Sequence, residues 1–331
     1  MKDEDFILCS RVCLSRNIKG FVFPHQYHFE EGDRLAQLVL DVMKEEKDRF
    51  TYYRLRDLDY LKQLSFLEDH RITPGLFSHM DQGSFFLRED RAISVMVGEE
   101  DHLVIQGLLP GLALTQSYYL IKPLEERLDQ GLGFSFDRNL GFLTACPSKV
   151  GTGLTGSLVI HLPALEWDGM EGLERSLTKL GFSIHGVFGE ESKALGSMFE
   201  VSNEKTLGER EESYLSKLEK IGLELVEMEK TKRKKLYFDQ RVQLEDRVYR
   251  SFGTCRYSKK ISYEEAMDCL SMLKLGLDLS LLKPQKDIDV FEMMRKLQNA
   301  TMQIDLERLL GEEDKEIYRG KILNRWIKEV F

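Results

Sequence analysis

Apolar residues in the first 205 positions follow two kinds of spacing, one typical of helices and one typical of short strands. Leu35, Val39 and Val42 recur at helical intervals after Gly32, which predicts an amphipathic helix. Leucines at three-residue intervals from 55 to 67 predict a second helix. Further helices are predicted over about 113–129 and 165–180, and strands over 92–97, 103–108, 157–162, 184–188 and 198–202.

Several of the predicted strands are joined by short polar connections. The strands at 92–97 and 103–108 flank the sequence Gly-Glu-Glu-Asp, and apolar runs at 134–136 and 142–145 flank Asp-Arg-Asn. Short strands joined in this way pair antiparallel, and helices fall between some of them. The pattern predicts an α+β fold for residues 1–205, with an antiparallel sheet and helices packed on one face.

The pattern changes after residue 205. Residues 209–235 are rich in charge and carry apolar residues at helical spacing, and helical spacing continues through 270–282 and 290–310. One proline, Pro284, interrupts the region after 235, and little strand-like alternation is present. We therefore predict a second, α-helical domain over 206–331.

Composition limits the possible functions. The chain has 331 residues and a formal net charge of −9, which argues against general binding to nucleic acids or anionic membranes. No apolar run reaches the roughly 18–20 residues of a membrane span, and the acidic N-terminus does not resemble a signal peptide. Five scattered cysteines fit reduced thiols better than disulfides or a metal site. We expect a cytoplasmic protein with no bound metal of its own.

The segment 141–163 is the most informative part of the chain. Cys146 precedes a proline, a Gly-Thr-Gly turn follows, and an apolar run comes next, which predicts a reactive loop leading into a core strand. A loop that holds phosphate would normally carry a cation here. Lys149 lies early in the loop, and Thr155 stands where the strand begins. Taken alone, Cys146 could also be a small core residue, which is the commoner fate of a free cysteine.

In order along the chain, the motifs form a more specific pattern. Together they resemble the ATP:guanido phosphotransferase family and, within it, the bacterial protein-arginine kinases. The similar stretches are CSRVCLSRN at 9–17, GEEDHLVIQ at 98–106, TACPSKVGTGL at 144–154, GVFGE at 186–190, SNEKTLG at 202–208, LEDRVYRSFG at 244–253 and LGLDLSLL at 275–282.

The resemblance implies transfer of the ATP γ-phosphoryl group to a guanidinium nitrogen, with Mg²⁺ and arginines neutralising the phosphates. It places two carboxylates, Glu100 and Glu190, and the reactive Cys146 around the guanidinium. Taken alone, Glu99 to His102 also read as a solvated hairpin tip, and Glu190 as a helix start. On the nucleotide side, the resemblance places Ser10, Arg11, Cys13, His70, Val104, Thr155, Ser157 and His185.

Four of these nucleotide positions depart from the family pattern. Cys13, Val104, Thr155 and His185 stand where the family has arginines, while Arg11 remains. We therefore predict a kinase homologue with impaired or absent activity that acts as a binding or regulatory subunit. One alternative is an active protein-arginine kinase, in which neighbouring cations (Arg16, Lys19 or Lys149) replace the lost ones. Another is a reader of arginine or phosphoarginine.

The resemblance also concerns regulation and partners. The bacterial kinases carry a phosphoarginine-binding RDxxRA motif, which corresponds here to Lys315, Glu316 and Arg319. A solvated helix face is the alternative interpretation, since lysine lacks the bidentate fork of arginine. The implied partners are a second copy of the chain through the helical domain, a zinc-binding activator protein, the Clp chaperone–protease system and arginine side chains of client proteins.

Overall fold

Ten β-strands and twelve α-helices form within residues 6–26, 29–45, 49–187 and 194–331, the parts of the chain that the computed structural model describes. The strands are β1 Ile7–Arg16, β2 Phe50–Arg54, β3 Ser84–Arg88, β4 Ile93–Val97, β5 Leu103–Pro110, β6 Phe136–Asp137, β7 Gly141–Phe142, β8 Leu154–His161, β9 Phe182–Gly186 and β10 Met198–Asn203. The helices are α1 Phe29–Val42, α2 Tyr60–Glu68, α3 Pro74–Ser78, α4 Leu114–Leu132, α5 Pro163–Trp167, α6 Glu171–Leu180, α7 Glu211–Asp239, α8 Arg241–Tyr257, α9 Tyr263–Asp278, α10 Val290–Lys296, α11 Asn299–Asp305 and α12 Glu312–Val330.

Eight of the strands form one sheet in the order β2-β3-β4-β5-β1-β8-β10-β9. Every neighbouring pair in it is antiparallel. β6 and β7 form the separate hairpin that the sequence predicts. The predicted antiparallel sheet is therefore confirmed, with β1 between β5 and β8 near its centre.

The two faces of this sheet differ in what covers them. On one face, side chains such as Val12, Leu14 and Ile105 belong to a large apolar core that includes residues of α1, α4 and α7. On the other face, Phe85 and Val104 join a smaller apolar cluster with residues of α2 and α3. Helices therefore pack on both faces, not on the single face that the sequence pattern predicts.

The helix predicted over 165–180 is two helices, α5 and α6. Gly169 separates them with a φ of +91°, a left-handed conformation that cannot continue a right-handed helix. Gly181 ends α6 with a φ of +83°, as predicted for a helix C-terminus. The helix predicted over 55–67 begins only at Tyr60, because Asp59 caps its N-terminus by accepting a hydrogen bond from the Lys62 amide.

The C-terminal helices surround a second apolar core. Leu244, Val248, Leu270 and Leu323 are buried in it, on α8, α9 and α12. The long helix α7 contacts both cores, since its first half packs on the sheet and Leu236 near its end joins the second cluster. The domain division at residue 205 stays a prediction. In the part of the chain described, no helix combines the length and apolar character needed to cross a bilayer.

Candidate functional site

One face of the sheet gathers most of the predicted nucleotide residues. Residues directly opposite each other in an antiparallel pair share a face. Arg11 lies opposite Ser157, and Cys13 lies opposite Thr155. The face therefore collects, from four strands of the sheet (β5, β1, β8 and β9), Arg11, Cys13, Val104, Thr155, Ser157 and His185.

The remaining arginine on this face forms an ion pair within the protein. The Arg11 guanidinium contacts the carboxylate of Glu200 on β10, and its Nε donates a hydrogen bond to Ser157 Oγ at 3.2 Å. The two charged side chains are only 19% and 27% exposed. Burial opposes the charge on Glu200, but Arg11 outweighs that effect, so the pKa of the carboxyl lies below its ordinary value. Arg11 is thus already neutralised.

Glu200 is a residue of this face that the sequence analysis missed. A signal for it was available, because residues at alternate positions of a strand share a face. Glu200 and Ser202 alternate on β10, and Ser202 lies opposite Ser157. A carboxylate at that position adds a negative charge to a face where the family resemblance implies phosphates.

His70 lies next to this ion pair but brings no positive charge at neutral pH. It follows α2 and adopts a φ of +54°, and its carbonyl oxygen accepts a hydrogen bond from Gln106 Nε2 at 2.7 Å. Burial, with the neighbouring guanidinium of Arg11 adding to it, lowers the pKa of His70 to about 4. The imidazole is therefore neutral near pH 7.

The segment that carries His70 is attached to the helical domain. The Glu68 carboxylate accepts hydrogen bonds from the amides of Ala300 at 2.8 Å and Thr301 at 2.9 Å, at the start of α11. Asp69 also lies 3.8 Å from the guanidinium of Arg295. These contacts fix the α2 end between the sheet face and the C-terminal helices.

Two of the positions without arginine are filled by uncharged groups, one buried and one partly buried. Val104 is 3% exposed and belongs to the apolar cluster under α2 and α3. Cys13 packs against the same cluster, with Sγ 3.6 Å from Gln106 Oε1. Burial raises the pKa of the Cys13 thiol to about 11, so it carries no charge. His185 is exposed on β9, directly opposite Glu200.

Ser10 is the predicted nucleotide residue that the fold separates from the others. Its hydroxyl donates to the Gly111 carbonyl at 2.7 Å and accepts from the Ala113 amide at 2.8 Å, next to the start of α4. Adjacent strand residues point to opposite faces, so Ser10 and Arg11 cannot both point toward a ligand on one face. The contacts of Ser10 are those of a residue that anchors α4.

Of the cations proposed as replacements, Arg16 is buried and paired with groups away from this face. Its Nε donates to Glu125 Oε1 at 2.8 Å, and Nη1 donates to the carbonyls of Ser15 and Thr152. The guanidinium also stacks 3.6 Å from the centre of the Phe142 ring. Lys19 is exposed in the turn after β1.

The connection between β4 and β5 carries the predicted catalytic carboxylate. Three of its four polar side chains are buried, which does not fit a solvated hairpin tip: Glu99 accepts from Thr73, Asp101 accepts from Asn17, and His102 accepts from the Ile18 amide. Glu100 is the exposed member. Its carboxylate accepts a hydrogen bond from Lys149 Nζ at 2.9 Å.

The loop that carries Cys146 lies beside this connection. The Ala145 amide donates to Asp101 at 2.7 Å, which links the two segments. Cys146 is partly exposed, and its sulfur lies 3.0 Å from Ser148 Oγ. Glu190, the second predicted carboxylate, lies outside the described residues. The structure therefore places Glu100 and Cys146 on neighbouring loops and leaves their catalytic roles as predictions.

The residues at the predicted phosphoarginine site have partners within the protein. Arg319 is buried and donates to the carbonyls of Leu297 and Ile261 and to Asn299 Oδ1. Lys315 pairs with Glu312, and Glu316 lies 3.2 Å from Lys260. The contacts of Arg319 hold helices together, so the regulatory role stays a prediction without support from this geometry.

Family models and curated relatives that are similar to this chain agree on one protein family. Residues 33–232 match the model of the ATP:guanido phosphotransferase C-terminal catalytic domain, and residues 241–330 match that of the protein-arginine kinase McsB C-terminal domain. A protein-arginine kinase of Clostridium tetani is 32% identical over 329 residues, which cover 99% of this chain and 97% of that protein. One of Halalkalibacterium halodurans is 35% identical over 330 residues, which cover 98% and 93%.

Solved structures support the fold. The duplicated taurocyamine kinase from Schistosoma mansoni matches with a TM-score of 0.60 and 23% identity, over 69% of this chain and 34% of that chain. Lombricine kinase matches with a TM-score of 0.59 and 20% identity, over 70% and 68%. At these identities, the likeness concerns the architecture of the sheet and its helices.

Proposed function

This chain belongs to the ATP:guanido phosphotransferase family, and from that premise we propose that it is a protein-arginine kinase homologue with an impaired nucleotide site. In this proposal it acts as a binding or regulatory subunit. One observation carries the proposal: Arg11, the arginine that remains among the predicted phosphate-facing positions, is paired with Glu200. The cations that the family places around the phosphates are replaced or already neutralised.

Magnitudes support a large effect. A hydrogen bond to a charged group contributes about 1.5–3 kcal/mol, and one arginine contributes roughly 10³–10⁵ in rate in other phosphoryl-transfer enzymes. A polyphosphate at Arg11 must also displace Glu200 or tolerate its negative charge. Removing one partner of a fully buried ion pair costs about 3–5 kcal/mol, and this pair, at 19% and 27% exposure, should cost less. The free-energy losses from the individual missing cations are not additive, but each of them weakens binding of the same polyphosphate.

The family implies ATP and Mg²⁺, and the residues on this face fit the phosphates poorly. Val104 and Cys13 bring apolar and neutral groups into a buried cluster. Glu200 would repel a phosphate at short range. In this arrangement, Val104 and Cys13 pack against α2 and stabilise the sheet, and they offer no charge to a polyanion.

The carboxylate side is better suited to binding. Glu100 is exposed, and a carboxylate accepts a guanidinium in a bidentate, charge-assisted contact. We therefore propose that the site binds arginine side chains of client proteins. A second copy of the chain, a zinc-binding activator, the Clp system and a cytoplasmic location complete the proposal by analogy with the bacterial kinases.

The alternative is an active protein-arginine kinase. It is favoured by relatives named protein-arginine kinase that match nearly the whole chain at 32–36% identity. It is also favoured by Arg71, which lines a cavity of about 970 Å³ together with Cys9 and His70. The Arg71 Nε is buried without a hydrogen-bond partner. A cation at this place is a candidate replacement for the lost arginines.

Calorimetric titration with Mg-ATP separates the two functions. We expect a dissociation constant weaker than about 1 mM, a binding free energy of only about −4 kcal/mol. The Halalkalibacterium halodurans relative serves as the positive control under the same conditions. Low-micromolar binding by this chain, together with phosphorylation of arginine in a protein substrate, would contradict the impaired site. Arg71→Met would then test whether Arg71 supplies the missing charge.

A further inference from the structure

Lys149 places an ammonium group on the exposed carboxylate of the candidate guanidinium site. We propose that Lys149 is an internal competitor, which occupies Glu100 in the free protein and must be displaced when a guanidinium binds. The inference rests on the proposed binding of arginine side chains at Glu100. It adds an affinity-determining residue to that site.

The backbone holds Lys149 in position. Lys149 ends the short 3₁₀ turn Pro147–Lys149, and its amide donates to the Cys146 carbonyl at 3.0 Å. On either side, the Thr206 hydroxyl donates to the carbonyls of Ser148 at 2.8 Å and Val150 at 2.7 Å. The loop is therefore anchored, and the lysine side chain reaches Glu100 from a fixed base.

Glu100 differs from its acidic neighbours in its availability. Glu99 and Asp101 are buried, and their carboxylates accept from the hydroxyl of Thr73 and from Asn17 Nδ2. Glu100 is 49% exposed and Lys149 is 30% exposed. An external cation can thus approach Glu100, while the neighbouring acids are committed to the fold.

Charge keeps the ammonium group on the site. Burial favours the neutral amine, but the hydrogen bond to Glu100 and the nearby Glu99 and Asp101 outweigh it and raise the pKa of Lys149. Lys149 is therefore protonated at every physiological pH. A competing ligand must bring a positive charge of its own.

An arginine side chain is the ligand best able to displace Lys149 from Glu100. An ammonium group binds a carboxylate as a point charge, whereas a guanidinium offers a planar, bidentate fork. A lysine on a client protein gains little by replacing Lys149, because it exchanges one ammonium for another. An arginine gains the second hydrogen bond. Lys149 thus weakens the binding of both ligands by the same factor, and the bidentate contact leaves arginine as the ligand that still binds.

The experiment compares peptide binding to four variants by calorimetry at low salt. The ligands are a short peptide with one arginine and the same peptide with lysine. The variants are Lys149→Met, Glu100→Gln, the double variant, and Lys328→Met, which removes an exposed lysine from α12 and matches the change in net charge. We expect Lys149→Met to bind the arginine peptide about two- to fivefold tighter than the parent. The lysine peptide should gain by the same factor, because an internal competitor lowers the affinity of every ligand for Glu100 equally.

The gain must depend on Glu100. In the double variant it should disappear, and Lys328→Met should bind as the parent does. Glu100-dependent binding to the parent without a gain in Lys149→Met would overturn the competitor role and leave the guanidinium site standing. If no variant binds the arginine peptide, both the competitor role and the guanidinium site are wrong. Thermal melting shows whether each variant is folded.

Discussion

The two halves of the candidate site both contain a predicted functional charge that is paired within the protein, but the two pairs differ in burial. Arg11 and Glu200 lie on the sheet face, at 19% and 27% exposure. Glu100 and Lys149 lie on neighbouring loops, at 49% and 30%. The same kind of contact therefore has different consequences in the two places.

The two pairs differ in how easily a ligand can replace one of the two charged partners. Water and salt compete with an exposed ion pair, so it contributes little and a ligand can replace one partner. The Arg11–Glu200 pair is less exposed and has lost more of its hydration, so separating it leaves a poorly solvated charge without a partner. In the proposed function, the predicted nucleotide half is therefore closed by its own ion pair, whereas the carboxylate half remains open to a stronger cation.

The largest effect is expected from returning an arginine to the nucleotide half at position 104. Val104→Arg places a guanidinium in the apolar cluster of Phe66 and Phe85, and we expect a loss of about 3–5 kcal/mol in the free energy of unfolding. Urea denaturation measures it, with Val104→Leu as the control. If Val104→Arg is as stable as Val104→Leu, the cluster can admit a cation and the nucleotide half is not closed.

Breaking the Arg11–Glu200 ion pair should lower the free energy of unfolding by a smaller amount. Glu200→Gln leaves Arg11 with a neutral neighbour, and we expect a loss of about 1–3 kcal/mol in stability. Because Arg11 then becomes available to phosphate, Mg-ATP should raise the melting temperature more than in the parent. The matched control, Arg11→Met with Glu200→Leu, removes both charges and should be less destabilised. Unchanged stability in Glu200→Gln would show that the Arg11–Glu200 ion pair contributes nothing to folding and does not keep Arg11 from a phosphate.

The smallest effect is expected on the carboxylate half. Glu100→Gln removes an exposed ion pair, and the free energy of unfolding should change by no more than about 0.5 kcal/mol. The measurement is the same urea series. A loss above about 1 kcal/mol would mean that the Lys149 contact holds the loops together, and the contrast between the two halves would fail.

Much of the fold follows from local periodicity. The strands at 92–97 and 103–108 appear as β4 and β5, because two short apolar runs joined by a short polar turn favour a hairpin. Helices on both faces were not predicted, because periodicity shows which side of an element is apolar and not which layer it meets. The break at Gly169 was missed for a different reason: an isolated glycine is compatible with a helix or with its end.

Parts of the site were also within reach of the sequence. Alternation along β1 places Ser10 and Arg16 on one side and Arg11 and Cys13 on the other, which bears directly on which of them can share a ligand. The family resemblance grouped them by position in a motif and did not use this alternation. The structure corrects the expectation for Arg16, whose guanidinium is buried against Glu125.

By itself, the sequence determined the antiparallel sheet, the helical C-terminal region, the family and the replacement of four arginines. Only the tertiary structure decided which charges meet. Arg11 finds Glu200 189 positions away, and Glu100 finds Lys149 49 positions away. Periodicity depends on residues a few positions apart, whereas these pairs depend on strand register and on how distant loops close. The difference in burial between the Arg11–Glu200 pair and the more exposed Glu100–Lys149 pair arises from the same long-range packing.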